Sequence, residues 1–90
     1  MREIIQSTAF RKDVKRTGKR GKDMAKLRTV ILLLIEDAPL DPRYRDHPLK
    51  GEWLGYRDLH VEPDWVLMYK LDKADLLLAR TGTHSDLFGK

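Results

Sequence analysis

The sequence predicts an α+β fold with the element order β-α-α-β-β-β, in which a hairpin of two helices covers one face of a twisted antiparallel sheet. Two observations lead to this prediction. Apolar residues recur every three or four positions in the first half of the chain, as in helices, and alternate with polar residues after residue 55, as in strands. The strand-like segments of the second half are separated only by short turns, which is typical of an antiparallel meander.

The first predicted elements are a strand over residues 3–6 and a helix over residues 8–17. The strand segment contains two consecutive isoleucines, which favour extended backbone. Ser7 or Thr8 is a suitable N-cap, because a hydroxyl oxygen accepts a hydrogen bond from a free N–H group of the first turn. Gly18 is expected to end the helix, since glycine readily adopts the conformation found just beyond a helix.

The second predicted helix begins at residue 24, and its apolar residues up to Ile35 have the spacing that one helix face requires. This apolar stripe consists of Met24, Leu27, Ile31 and Leu34. Asp23 is the expected N-cap, and Pro39 is expected to stop the helix just after Ala38. The short glycine-containing connection between the two helices predicts an antiparallel hairpin.

The second half of the chain is predicted to begin with a loop and continue with three strands. Residues 41–55 are rich in proline, glycine and charges of both signs, which indicates a loop. We predict strands over residues 56–61, 65–71 and 76–81, joined by turns that contain proline or charged residues.

The composition excludes several classes of protein. With 90 residues, the chain is expected to form one domain, 1–90, with a modest core. It contains no cysteine, so disulfide bridges, thiolate metal sites and cysteine nucleophiles are excluded. Its longest apolar run, residues 30–35, is far shorter than the ~20 residues needed to span a bilayer. We therefore expect a cytoplasmic protein without a membrane partner.

The net charge of +4 is unevenly distributed. Residues 1–28 contain ten basic and three acidic side chains, whereas residues 29–90 contain eight basic and eleven acidic ones. A basic cluster of this kind attracts polyanions such as RNA. Two alternatives explain the same charge: the basic helix face is simply solvated, or it binds an acidic protein partner.

One histidine, His60, is expected on the open face of the sheet. Alternation along its strand places it with Tyr56 and Asp58, whereas Leu59 and Val61 point the other way. Because the apolar pair must face the helical hairpin, the polar group should lie on the uncovered face.

Two further histidines flank the same sheet, His47 in the loop and His84 after the last strand, and Asp64 adds a carboxylate. Cleavage of RNA without a metal needs a base for the ribose 2′-OH, an acid for the leaving 5′-oxygen and a positive group near the phosphate. Histidine, whose unperturbed pKa is about 6.5, can fill each of these roles near neutral pH. The set therefore suggests an RNA-directed site.

The same residues are compatible with roles outside RNA cleavage. A single histidine is often structural, and the three histidines with Asp64 could instead bind a metal, although no HxH or HxxxH spacing is present. Phe88 or Trp65 could hold an RNA base by stacking, which is worth roughly 1–3 kcal/mol. Tryptophans such as Trp53 and Trp65 more often pack in a core or against a sheet than stack on a base.

Three segments, residues 46–49, 51–65 and 80–89, resemble the YafQ-type branch of the RelE/ParE toxin superfamily. They contain the blocks HPL, HVEPDW and RTGTH followed by LFG, and the similarity extends over nearly the whole chain. The resemblance implies a RelE-like, microbial ribonuclease-like version of the predicted fold. It also implies a type II toxin, held inactive by a cognate antitoxin, that enters the ribosomal A site and cuts mRNA without a metal or other cofactor. Operator DNA would be bound only through the antitoxin complex.

The resemblance also implies which residues form the site. The family's functional positions correspond to His47, His60, Asp64, Trp65, His84 and Phe88. By this resemblance, His84 is a principal acid or base, and His60 and Asp64 are its counterparts. His47 would support the phosphate and Phe88 would position the nucleotide.

Further residues are implied as RNA contacts or as secondary candidates. The basic residues expected to bind ribosomal RNA are Arg11, Lys12, Lys15, Arg16, Lys19, Arg20 and Lys22. Other branches of the superfamily use Lys, Arg and Tyr for catalysis, so Arg80 and Tyr56 are secondary candidates, and Arg80 is also expected to contact RNA. The alternative function is that of ParE-like relatives, which poison DNA gyrase without cutting RNA and would not need three histidines.

Overall fold

A computed structural model of the protein describes residues 2–89 and confirms the α+β fold. Its helices and strands are β1 Glu3–Gln6, α1 Thr8–Lys19, α2 Met24–Ile35, β2 His47–Pro48, β3 Arg57–Glu62, β4 Trp65–Leu71, β5 Asp75–Gly82 and α3 His84–Phe88. Two short 3₁₀ turns, Pro42–Tyr44 and Gly51–Trp53, flank β2. Within residues 2–89, no helix combines the length and apolar composition that crossing a bilayer requires.

The five strands form one sheet in the order β1-β5-β4-β3-β2. Neighbouring strands from β2 to β5 are antiparallel, as predicted, but β1 runs parallel to β5, from the pair Glu3 and Asp75 to the pair Gln6 and Leu78. The sheet is therefore mixed, and the prediction of a wholly antiparallel sheet was wrong for β1. The physical reason is that no hairpin joins these strands: the helices and three other strands lie between them in the chain.

The helix caps follow the sequence, with two differences in length: α1 extends beyond Gly18, and α2 ends at Ile35, before the predicted stop after Ala38. The Ser7 hydroxyl accepts a hydrogen bond from the backbone N–H of Phe10, so Ser7 rather than Thr8 is the N-cap of α1. Asp23 caps α2 by accepting from the N–H of Ala25. Helix α1 continues through Gly18, because a single glycine is tolerated inside a helix.

Both faces of the sheet carry apolar clusters. The larger one lies under α1 and α2; its most buried members include Phe10, Val30, Leu59, Trp65, Leu67, Tyr69, Leu76 and Leu78. The smaller one, on the opposite face, is formed by Val66, Met68 and Ala79, with Leu49, Trp53, Tyr56 and Leu87 packed against it. The second face is therefore partly covered, because β4 and β5 present apolar residues on both sides.

A buried carboxylate joins α1 to β5. Asp13, only 1% exposed, accepts hydrogen bonds from Nε and Nη2 of Arg80 at 2.6 and 3.1 Å and from Nη2 of Arg16 at 2.7 Å. It also accepts from the backbone N–H of Thr81 at 3.1 Å. The charge of this carboxylate is thus matched by two guanidinium groups, as a buried charge requires.

We predict that Asp13→Ala lowers the free energy of unfolding by about 3 kcal/mol, because it leaves the Arg80 guanidinium next to the core without its partner. Urea denaturation followed by circular dichroism measures this loss. The control is Lys26→Ala, which breaks an exposed ion pair with Glu62 and should leave the midpoint almost unchanged. Equal midpoints for Asp13→Ala and the control would contradict the prediction.

Candidate active site

Three histidines from separate elements form a row at one end of the sheet. His47 comes from β2, His60 from β3 and His84 from α3. The ring centroids lie 6.3 Å apart for His47 and His60 and 5.4 Å apart for His60 and His84. Phe88 continues the row, with its ring centroid 6.1 Å from that of His84. The structure therefore brings together residues that are up to 41 positions apart in the sequence.

Hydrogen bonds fix the tautomer of two of these rings. The Nδ1 atom of His60 lies 3.1 Å from the carbonyl oxygen of Pro63, and that of His47 lies 2.7 Å from the carbonyl oxygen of Arg45. A carbonyl oxygen only accepts hydrogen bonds, so Nδ1 carries the proton in each ring. The Nε2 atom of each neutral ring is then left unprotonated, and it can accept a proton.

His84 is oriented by a carboxylate. Its Nδ1 lies 2.9 Å from Oδ1 of Asp64, and its backbone N–H donates to the same oxygen at 3.2 Å. These bonds, first that of the side chain, lower the pKa of Asp64, so the carboxylate is ionised near neutral pH. Asp64 therefore keeps a proton of His84 on Nδ1 and fixes the orientation of the ring.

A second carboxylate, Asp58, lies beneath the row. It is 3% exposed and pairs with His47 across the strands β2 and β3, with 3.4 Å between Nε2 of His47 and Oδ1 of Asp58. Among residues 2–89, this buried oxygen has no hydrogen-bond partner. Burial raises the pKa of Asp58, and the neighbouring histidines oppose this shift, His47 most strongly. Sequence reasoning did not identify Asp58 as a site residue, although alternation placed it on the face of His60.

The segment that carries His47 is anchored to the sheet by Asp46. Its carboxylate accepts a hydrogen bond from Nη2 of Arg57 at 3.0 Å and another from the Tyr69 hydroxyl. Burial, followed by this hydrogen bond, raises the pKa of Tyr69, so the hydroxyl remains a donor. The preceding residue, Arg45, has a left-handed backbone with φ of 49°, which aims its carbonyl oxygen at His47.

The short helix α3, which carries His84 and Phe88, is held by its own cap and by α1. Thr83 and Asp86 form a capping box, in which each side chain accepts from the backbone N–H of the other. The Asp86 carboxylate also accepts from both Nη atoms of Arg20, at 2.6 and 3.1 Å. A Cβ atom at Gly82 would lie 2.9 Å from Oδ2 of Asp86, so the approach of α3 requires glycine there.

The predicted RNA contacts fall into two groups. Four of them form ion pairs within the protein: Arg16 and Arg80 with Asp13, Arg20 with Asp86, and Lys22 with Glu62. The other four, Arg11, Lys12, Lys15 and Lys19, are exposed along α1 and form no ion pair with any residue from 2 to 89. The second group is therefore the available polyanion surface.

Two aromatic residues that the sequence suggested as site residues, Trp65 and Tyr56, pack into the apolar clusters. Trp65 is 1% exposed in the larger core cluster, and its Nε1–H donates to the Thr81 hydroxyl at 2.9 Å. The prediction that Trp65 contacts RNA was therefore wrong, because strand alternation turns its ring toward the helices. Tyr56 is half-buried in the smaller cluster and packs edge-on against Trp53. Phe88, by contrast, is 40% exposed.

The histidine row and its carboxylates do not form a metal site. Within residues 2–89, no group of three or more histidine and acidic side chains has the geometry to hold a metal ion.

The fold and the histidine row together define a class. A five-stranded mixed sheet with two helices on one face and a cluster of polar site residues at its end is the architecture of a RelE-like toxin. The model of the YafQ family, described as a bacterial toxin of type II toxin–antitoxin systems, matches residues 2–89. The chain belongs to this family.

Similar proteins support this assignment over the full chain. The mRNA interferase toxin YafQ of Escherichia coli K12 is 55% identical over 89 residues, which cover 98% of this chain and 97% of that protein. The crystal structure of YafQ from E. coli BL21(DE3) matches with a TM-score of 0.93 and 53% identity, over 99% of this chain and 100% of that one. A chain in the crystal structure of the E. coli DinJ–YafQ complex matches with a TM-score of 0.92 and 54% identity, with the same coverage.

We predict that Asp86→Asn weakens both stability and activity at neutral pH, because it removes the charge that binds Arg20 and holds α3. The ion pair and hydrogen bonds lower the pKa of Asp86 below its ordinary value of about 3.9. The stability it contributes is therefore present above about pH 4 and is lost as the pH falls through the lowered pKa. Urea denaturation at several pH values should show wild-type and variant converging in acid.

The control for this experiment is Asp72→Asn, at an exposed aspartate whose side chain forms no ion pair within residues 2–89. It should track the wild-type protein at every pH. A constant difference between wild-type and Asp86→Asn down to strong acid would show that charge is not the cause.

Proposed function

We propose that this chain is an mRNA endoribonuclease that cuts mRNA on translating ribosomes in the cytoplasm and thereby stops translation. The observation that carries the proposal is the row of His47, His60 and His84, in which each Nδ1 atom faces an acceptor oxygen. The activity named for the E. coli relative, an mRNA interferase, supports the same reaction.

The proposed reaction is a transfer within the RNA chain. A base removes the proton of the ribose 2′-OH, and the 2′-oxygen attacks the neighbouring phosphorus. The bond from phosphorus to the 5′-oxygen breaks, an acid gives that oxygen a proton, and a 2′,3′-cyclic phosphate is left. The requirement for a 2′-OH makes the reaction selective for RNA over DNA.

His60 and His84 are suited to the base and acid roles. Their ring centroids are 5.4 Å apart, so the two imidazoles can flank a single phosphate. Asp64 acts on His84 rather than on the RNA, because its lowered pKa makes it a poor acid and its oxygen is already bonded to the ring. It orients His84, whose ring in its protonated form donates the Nε2 proton to the leaving oxygen.

The other two site residues have supporting roles. His47, whose Nε2 lies 3.4 Å from the buried Asp58, occupies the third position of the row, where its ring in the protonated form stabilises the crowded phosphorane. Phe88 exposes its ring beyond His84 and provides a face on which an RNA base stacks.

The proposed partners are a cognate antitoxin and the ribosome. A relative with 54% identity was crystallised in the DinJ–YafQ complex, which supports an antitoxin partner for this chain. The four exposed cations of α1 provide a surface for ribosomal RNA. Operator DNA would be reached through the antitoxin complex.

The gyrase-poisoning alternative has little support. Three histidines and two carboxylates at one end of the sheet serve proton transfer, and blocking gyrase does not require them. If toxicity survived simultaneous alanine substitution of all three histidines, the binding-module function would replace the one proposed.

We predict that His84→Ala lowers the rate of mRNA cleavage by about 10²–10⁴-fold, which is the usual contribution of one acid or base. Primer extension on an mRNA in a cell-free translation reaction measures the cuts, with and without ribosomes. The variant should keep the wild-type unfolding midpoint and antitoxin affinity, because His84 is partly exposed on a surface helix. A variant that cuts at the wild-type rate, or that does not fold, would reject this catalytic role.

We predict that replacing both Arg11 and Lys15 by alanine weakens binding to ribosomes and reduces the slope of log affinity against log salt concentration by about 1.5–2. The physical reason is the loss of two phosphate contacts that release counterions. Sedimentation with purified ribosomes at several salt concentrations measures the effect. Lys73→Ala, in the turn before β5, is the control. An unchanged slope in the double variant would show that the ribosome binds another surface of the protein.

A further inference from the structure

A groove next to the histidine row is lined by His60 and by residues that take no part in the proposed reaction. It has a volume of about 530 Å³ and lies between α2, the 3₁₀ turn Pro42–Tyr44 and the turn between β3 and β4. Its walls are formed by Lys26, Thr29, Arg43, Tyr44, His60, Val61, Glu62 and Pro63. His60 is the member that the groove shares with the row; His47, His84 and Phe88 do not line it.

The charge of the groove is positive. Glu62 is bound by Lys22 and Lys26 at 2.7 and 2.8 Å, so two positive charges face one negative charge. Arg43 adds a further cation, which forms no ion pair with any carboxylate of residues 2–89. The resulting excess of positive charge favours an anionic ligand.

Arg43 is prepared for such a ligand by its neighbour. Its Nη2 donates to the Tyr44 hydroxyl at 3.2 Å, and its guanidinium carbon lies 5.0 Å from the centroid of the Tyr44 ring. Tyr44 is buried, so it restrains the guanidinium of the exposed arginine above it. A restrained guanidinium loses less freedom on binding, and its planar fork matches a phosphate.

The groove and Phe88 extend from the reacting centre in different directions. Phe88 follows His84 at one end of the row, whereas the groove opens from His60 between the helix and the strand turn. A phosphate that lies between His60 and His84 therefore has the groove next to one histidine and Phe88 next to the other. The groove volume is within the range of pockets that hold a small organic ligand.

We propose that this groove is a subsite for the mRNA nucleotide adjacent to the cut, with Arg43 binding its phosphate. The proposal rests on the endoribonuclease function given above. An RNA phosphate could come from the mRNA or from ribosomal RNA; the position of the groove at His60 assigns it to the mRNA. Arg43 thus binds the mRNA substrate, whereas the exposed cations of α1 bind ribosomal RNA.

The test removes the charge from each side of the contact. Ribosome complexes carry an mRNA in which a neutral methylphosphonate replaces the phosphate one step before or one step after the cut, and cleavage rates are measured at saturating toxin. For the wild-type protein we expect one of the two neutral linkages to slow cleavage about 10-fold, the loss expected for one charge-assisted bond. Arg43→Ala should slow cleavage of the unmodified mRNA by a similar factor, with no further loss on the neutral linkage.

The controls separate this proposal from the broader function. Lys73→Ala, which removes a distant exposed charge, should behave as wild-type on every mRNA. If neither neutral linkage slows the wild-type protein, or if one slows wild-type and Arg43→Ala equally, the subsite is rejected. If Arg43→Ala weakens ribosome binding but leaves the effect of the linkage unchanged, the contact is with ribosomal RNA and the mRNA assignment is overturned. A wild-type protein that cuts no mRNA would instead reject the proposed function.

Discussion

The contact on which the rest of the structure depends is the carboxylate of Asp13, buried between α1 and the last strand of the sheet. Its two arginine partners start an alternating series of charges. Arg80 and Arg16 both bind Asp13, the Nε atom of Arg16 lies 3.8 Å from Asp86, and Asp86 in turn binds Arg20. Because Asp86 belongs to α3, this series connects the protein core to the helix that carries His84. The position of His84 thus depends in part on a charge that lies outside the histidine row.

Much of the fold could be predicted because local rules decide it. The caps at Ser7 and Asp23 and the apolar periods specify both helices and the three main strands. The errors have a common origin in contacts between distant segments. Alternation places Trp65 and His60 on opposite faces of the sheet, but it does not show that loop residues and α3 cover part of the second face. The pairing of β1 with β5 likewise cannot be predicted from local sequence, since no turn connects the two strands.

The site was less accessible to sequence reasoning than the fold. Alternation and element order placed the three histidines at one sheet, but their individual roles came only from the resemblance to a toxin family. Ion pairs were harder still. Arg20 and Asp86 are 66 positions apart, so a count of basic residues assigns Arg20 to RNA although the fold uses it internally. Asp58 could have been noticed, because a carboxylate that shares a strand face with a histidine is a natural partner for another ring.

The parallel pairing at the edge of the sheet has a consequence for when the toxin can form. The Ser7 hydroxyl donates to the carbonyl oxygen of Ala79, 72 positions later, and within residues 2–89 β1 pairs with no strand except β5. During synthesis, β1 must therefore wait unpaired until β5 has left the ribosome, and α3 with His84 follows β5. Contacts of such long sequence separation also make folding slow. The ribosome that translates this chain is therefore not exposed to an assembled active site until translation of the fold is nearly finished.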